Sequence, residues 1–384
     1  TSDLTLPSIV APDGGLRLGD DTATIGLITG NITQTVNTSL DIDSLRVGTA
    51  TNAVGGSAVL ANSGNKIVDL AEANVGDVGG TQYDLDVYDS TDGLTLTQNL
   101  VSAGGIRVRT ITGGGASGVL SLGSQDVLAA GDIFLGGNSV TQAVDSIVDA
   151  DNSGVAATGG GIRIDGGGGA NNITLEGVLT TDNAGGAAIQ IVNATNLTFD
   201  TISATAGTVA LGIPANTDGP ATPAKPLTGT IQGIDETSVI SAATLAGNAG
   251  VVTLNKTNLD NLGTFATTGT MTLKDQGGAG TAGLKFTGDV TVGGTTEIQT
   301  TDGVLDFDVH ALDASGGTGY GVTLRGVGVS QEATSSIKST TAEIYGGAAD
   351  IDLFSNLNNF TGQVSVYSTG AQVSVQDANQ LSMN

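Results

Sequence analysis

Short runs of alternating apolar and polar residues, each closed by a glycine-rich turn, recur from Leu4 to the last residues of the chain. Leu94-Thr95-Leu96-Thr97, Ile106-Arg107-Val108-Arg109, Val119-Leu120-Ser121-Leu122 and Ile162-Arg163-Ile164-Asp165 show the pattern. Val304-Leu305-Asp306-Phe307-Asp308-Val309, Val322-Thr323-Leu324-Arg325, Val364-Ser365-Val366 and Val373-Ser374-Val375 repeat it. Successive side chains of a strand point to opposite faces, so a two-residue period puts aliphatics on one face and Thr, Ser, Asp, Arg or Lys on the other. In several stretches neighbouring runs start only about 9–15 residues apart, which leaves no room for crossover helices.

Composition decides what such strands can build. The 384 residues include 61 glycines, six prolines and no tryptophan, with 3% aromatic and 13% charged residues. An ordinary pair of globular domains does not look like this, and neither does a disordered chain. Apolar residues at 39% suffice for a core, but few are bulky, so the core must be thin and long. A β-solenoid meets these constraints: short strands stack about 4.8 Å apart, small aliphatics fill the inside, and glycines turn the corners. With about 20 residues per coil, the expectation is roughly 19 coils and an elongated rod about 90 Å long, a single solenoid over residues 1–384.

Three segments stand apart. Residues 1–30 open with Leu4-Thr5-Leu6-Pro7 and Leu16-Arg17-Leu18, strand-like runs whose prolines suit an edge, and read as an N-terminal edge or assembly segment. Ile67-Val68-Asp69-Leu70-Ala71-Glu72-Ala73 fits a short helical turn or, preferably, a strand. Residues 214–226 hold four of the six prolines and cannot join a ladder, because proline has no amide donor. They read as a loop insertion, alternatively as a hinge or partner-binding arm.

Twelve basic residues stand against 38 acidic ones, a formal charge of −26, which excludes a phosphate-binding surface and hence nucleic acid as a partner. With no cysteine there is neither a disulfide framework nor a zinc cluster. No run approaches the roughly 18 apolar residues of a membrane span, so no membrane insertion is expected. The first residue is Thr1, the mark of a processed protein or a piece of a longer one.

Paired carboxylates are the main candidates for chemistry. Asp41 and Asp43, Asp84 and Asp86, Asp306 and Asp308, and Asp350 and Asp352 each place two acids about 7 Å apart on one strand face, where stacked coils would offer oxygen ligands to Ca²⁺. The glycine-aspartate nonapeptide of calcium-binding β-rolls is absent, so solvated faces are the simpler reading and no cofactor or metal-site residue is assigned. A carbohydrate-active β-helix enzyme would need carboxylates about 5–9 Å apart, usually beside a basic residue and aromatic platforms. The tyrosines are scattered, and the single histidine, His310, is expected to point outward, so no catalytic residue is assigned. Arg107 and Arg109 are expected to pair with acids on adjacent coils. Asn-x-Ser/Thr triplets begin at Asn31, Asn37, Asn172, Asn193, Asn196, Asn255 and Asn359, and asparagine ladders in turns are the simpler use of these residues.

Residues 358–366, Asn-Asn-Phe-Thr-Gly-Gln-Val-Ser-Val, followed by Gly370 and Val373-Ser374-Val375-Gln376-Asp377, resemble a recurring unit of filamentous-haemagglutinin-like giant bacterial surface proteins and autotransporter passengers. Asn261-Leu262-Gly263-Thr264-Phe265 with Gly269-Thr270-Met271-Thr272-Leu273 is similar, as is the cadence from Leu94 to Leu122. The resemblance covers about 60 residues specifically and most of the chain loosely. It implies a right-handed parallel β-helix, export, and a role as an adhesin or surface fibre. The Asn-Pro-Asn-Gly-Ile and Asn-Pro-Asn-Leu signatures of that family's secretion module do not occur, so the chain reads as a shaft segment. The expectation is thus an extracellular, non-enzymatic structural protein that associates end to end into filaments, with cell-surface or matrix glycans as candidate partners. The alternative is a polysaccharide lyase or hydrolase, and a third reading is a host-binding adhesin that makes contact through its 214–226 arm.

Overall fold

A computed structural model describes residues 3–19, 28–76, 82–90, 93–110, 118–151, 159–213, 224–277, 283–316, 321–370 and 372–383. All regular elements among them are strands, joined in parallel ladders as a right-handed β-solenoid. Contacts group the chain into two compact units, Thr1–Thr195 and Asn196–Asn384.

In unit 1 one inward column can be followed rung by rung. Leu4 pairs with Ile32, Ile32 with Ala58, and Ala58 with Leu85. The column continues through Ile106, Ile133, Ile162 and Ile189. From Ile32 onward its side chains are at most 1% exposed. A second inward column two residues along, Leu60-Val87-Val108-Leu135-Ile164-Ile191, fills the space beside it. Both follow from the alternation: each strand offers every second residue to the inside, and identical phase in successive coils stacks like on like.

Unit 2 carries a corresponding column, Leu197-Ile231-Val252-Met271-Thr296-Val322-Ala342-Val364. Its interior holds the large aromatic rings. Phe199, Phe265, Phe286, Phe307 and Phe360 are fully buried, and the rings of Phe286 and Phe307 lie 4.4 Å apart.

The coils do not keep a 20-residue step. Residues on adjacent coils of unit 1 are separated by 21 positions at Asp86 and Arg107 but by 29 at Asp132 and Gly161. In unit 2 the separation is 18 at Thr257 and Asp275, 25 at Asp275 and Thr300, and 34 at Asn196 and Thr230. Corners absorb the difference, because a turn outside the ladder can lengthen without shifting the strands on either side of it.

Residues 66–75 form one strand, Lys66–Val75, which settles the ambiguity over Ile67 to Ala73 in favour of extended chain. The strand Leu4–Leu6 pairs with Ile32–Gln34, and Ile9–Leu18 pairs with Leu40–Val47. Of the proline-rich 214–226 segment, residues 214–223 lie outside the described residues. Its neck is closed by an antiparallel bridge in which Ile213 N–H donates to Lys225 O (3.1 Å) and Lys225 N–H to Ile213 O (2.8 Å).

Candidate functional site

Corners leave backbone N–H groups without ladder partners, and these must find acceptors. Asparagine and aspartate supply them. The residue just before a strand accepts, through its side-chain oxygen, the N–H at the same position one coil on: Asp3 from Asn31 (2.8 Å), Asn31 from Ser57 (3.1 Å), Asp126 from Ile147 (3.0 Å), Asp289 from Ala311 (2.9 Å) and Asp350 from Gln372 (2.9 Å). Asn31 and Asn196 act in this way, the latter accepting from Thr230 N–H at 2.8 Å. Asn37 (φ 62°) and Asn193 (φ 63°) instead turn the chain in the left-handed region that short polar side chains tolerate.

A second device lies deeper. Asn65 accepts from Leu40 N–H (3.0 Å) and donates to Leu60 O (2.9 Å), while exchanging two amide bonds with Gln34 (2.7 and 3.0 Å). In unit 2, Asn358 does the same with Ile337 N–H (2.8 Å), Leu353 O (3.4 Å) and Gln331 (3.1 and 2.7 Å). Both asparagines are fully buried.

The four carboxylate pairs sit in different surroundings and are not stacked as rows. Asp84 precedes its strand and is buried, whereas Asp86, within the strand, lies under two arginines. Arg107 Nε donates to Asp86 Oδ1 at 3.0 Å, Arg107 Nη2 contacts Oδ2, and Arg109 Nη2 reaches Oδ1 at 3.2 Å. Arg107 is the register partner of Asp86 one coil on, so the expected pairing with acids on an adjacent coil holds. Tyr83 and Tyr88 cover the two guanidinium groups at 4.8 and 5.4 Å. Burial, with Asp132 nearby, raises the Tyr83 phenol above its usual range.

Asp306 and Asp308 part company because the strand ends at Asp306. Asp308 has φ 47°, its N–H donates to Asp306 Oδ1 (3.0 Å), and its carboxylate meets Lys285 Nζ at 3.1 Å. Phe307 is buried in the corner and His310 lies half-buried, its Nδ1 3.6 Å from Asp289 Oδ1, rather than fully outward. Asp41 faces Lys66 at 3.7 Å, and Asp350 is one of the corner acceptors. Asp43 is exposed and, second to burial, pushes the Asp69 carboxyl up. Among the described residues no three His, Asp or Glu side chains converge as metal ligands.

Two carboxylate environments escaped the pattern-based reading. Asp275 is fully buried in unit 2 with four donors: Leu259 N–H (2.9 Å) and Thr257 Oγ1 (3.2 Å) on Oδ1, Gly277 N–H (3.1 Å) and Thr300 Oγ1 (3.2 Å) on Oδ2. Burial outweighs these bonds and pushes its carboxyl up to about 6. Asp151, beside Asp149 and Asp182, is also raised, first by its hydrogen bond to Asp149 and then by burial.

Two small grooves lie among the described residues. One of about 310 Å³ runs between Phe199, Asp235, Glu236 and Lys256, and one of about 280 Å³ between Arg17, Ser44, Arg46, Ala71, Glu72 and Gln98. The second was legible in part: Leu16-Arg17-Leu18 and Leu45-Arg46-Val47 carry arginine at the same phase, which stacks the two. No family model matches the chain, and no match is found among curated proteins or solved structures.

Proposed function

We propose that the chain is a structural β-solenoid of the bacterial exterior, a shaft segment of a surface fibre or adhesin of the filamentous-haemagglutinin-like kind. The observation that supports this reading is the use to which its polar side chains are put. Asp3, Asn31, Asn65, Asp86, Asp126, Asp275, Asp289, Asp350 and Asn358 bind the coil before or after their own. Acids and amides that would serve an enzyme as acid, base or ligand here join neighbouring coils.

End-to-end assembly is part of the same proposal. Each coil receives the next through parallel backbone bonds, so a coil of a second copy with matching register would extend the ladder as one of the same chain does. Contacts of that head-to-tail kind which do not close produce filaments. Negative-stain microscopy of the purified protein, with and without chelator, tests this: end-to-end filaments are expected, and short monodisperse particles under native ionic conditions would contradict it. A polysaccharide turnover screen addresses the enzymatic alternative. The structural reading expects no turnover, and turnover abolished by Asp306→Asn or Asp308→Asn would replace it.

A further inference from the structure

We propose that the groove on unit 2 beside the corner at residues 234–238 binds an uncharged sugar ring. The corner forms a ledge. Phe199 pairs with Gly233 and Thr201 with Val239, so residues 234–238 fill a place that Asp200 alone occupies in the preceding coil. Both ends of the ledge are tied. Ile234 N–H donates to Phe199 O (2.8 Å), and Asp235 Oδ1 accepts Thr237 N–H (2.7 Å), the Thr237 hydroxyl (2.7 Å) and Ser238 N–H (3.2 Å). In return the Ser238 hydroxyl accepts Asp235 N–H at 3.1 Å. The following coil bulges at the same corner: Leu254 pairs with Leu273 and Thr257 with Asp275, which sets Asn255 and Lys256 against Lys274 alone. A bulge re-aims the side chains beside it, and the groove lies between the ledge and this bulge.

Volume and lining select the ligand. About 310 Å³ falls at the lower bound of the roughly 300–1,000 Å³ of small-molecule sites, which suits a ligand of sugar size. Lys256 lines the groove from the bulge and Glu236 from the ledge, and among the described residues the two form no ion pair with each other. An anion is therefore opposed by Glu236 and by a chain of formal charge −26, and a cation by Lys256. A polyol meets neither obstacle, because its hydroxyls donate to the carboxylate and accept from the ammonium. The other polar partners are neutral. Gln232 and Thr253, register partners on adjacent coils, together with Asn255 offer amides and a hydroxyl that both donate and accept. Ile234, 43% exposed at the same corner, supplies an apolar surface for the C–H face of a ring. A zwitterionic amino acid also matches the two charges but leaves these neutral groups without use.

The inference deepens the surface-fibre reading by naming what such a fibre would touch, and it rests on that reading only for where the sugar comes from. Calorimetry and ligand-observed NMR on the full chain test it with glucose, galactose and N-acetylglucosamine, against glucuronate, glucosamine and alanine as charged probes. At least one of the neutral sugars is expected to bind at least tenfold tighter than each charged probe. Lys256→Met and Glu236→Ala should each weaken that sugar at least tenfold with no lower melting temperature. Binding of none of the neutral sugars, a charged probe bound as tightly as the best of them, or an affinity unchanged in either folded variant would overturn it. Microscopy of filaments is independent of these readouts, so failure here and failure of the fibre proposal are separable.

Discussion

Asp275 has no solvent exposure, and its carboxyl titrates near 6 because burial disfavours the charge more than four donors favour it. The folded-state pKa lies above the ordinary value of 3.8, so the native state holds this proton more tightly than the unfolded chain. Its contribution to stability is therefore greatest below pH 4 and is lost as pH rises through 6, by roughly 2–3 kcal/mol. In Asp275→Asn this term vanishes: the stability of wild type relative to the variant should increase between pH 7 and pH 4 in urea titrations, and a pH-independent difference would refute the assignment. Asn358 supports a second expectation. Asn358→Asp removes the donors to Gln331 Oε1 (2.7 Å) and Gln376 O (3.1 Å) and sets a charge against carbonyls, at a loss of about 3 kcal/mol read as a lower denaturation midpoint. The burial of neither residue was legible in the amino-acid sequence, since an aspartate after Leu-Lys and an asparagine in a turn look the same whether buried or solvated. Most of the acceptors and donors that explain them come from residues 16–27 positions away.

At the scale of strand and corner, the alternation was legible because burial acts on every second residue and leaves a period. Corners carry no such period. Val304 to Val309 reads as one strand, yet the chain turns after Asp306, and the buried ring of Phe307 belongs to the corner rather than to a pleated face. The bulge at Ala71 was equally hidden, because an inserted alanine alters pairing without altering local hydrophobicity. Glycine at corners has a more direct cause in close approach. A Cβ on Gly160 would lie 2.1 Å from Gly131 C and 2.2 Å from Gly131 O, backbone atoms of the adjoining coil that cannot swing aside. Gly160→Ala should therefore separate the coils locally, with a destabilisation of about 2–4 kcal/mol and faster amide exchange at Gly161 and Ile162; a melting temperature equal to wild type would contradict it.

For the whole molecule, what matters is that stability is distributed between neighbouring coils, each adding an aliphatic rung inside and a few polar ties at the corners. This explains why coil length varies without loss of the ladder, and why an acidic chain with few large residues folds at all. The parallel stacking in register is the central claim, and the absence of native cysteine allows a direct test. Thr141 and Thr174 in unit 1, and Thr323 and Glu343 in unit 2, are register partners on adjacent coils, about 4.8 Å apart and within disulfide reach. Cysteines placed at Thr141 and Thr174, or at Thr323 and Glu343, should oxidise to near completion within one chain. Cysteines at Thr141 and Asn172, two residues out of register, should stay reduced; crosslinking of the offset pair in preference to the registered ones would contradict the stacked-coil account.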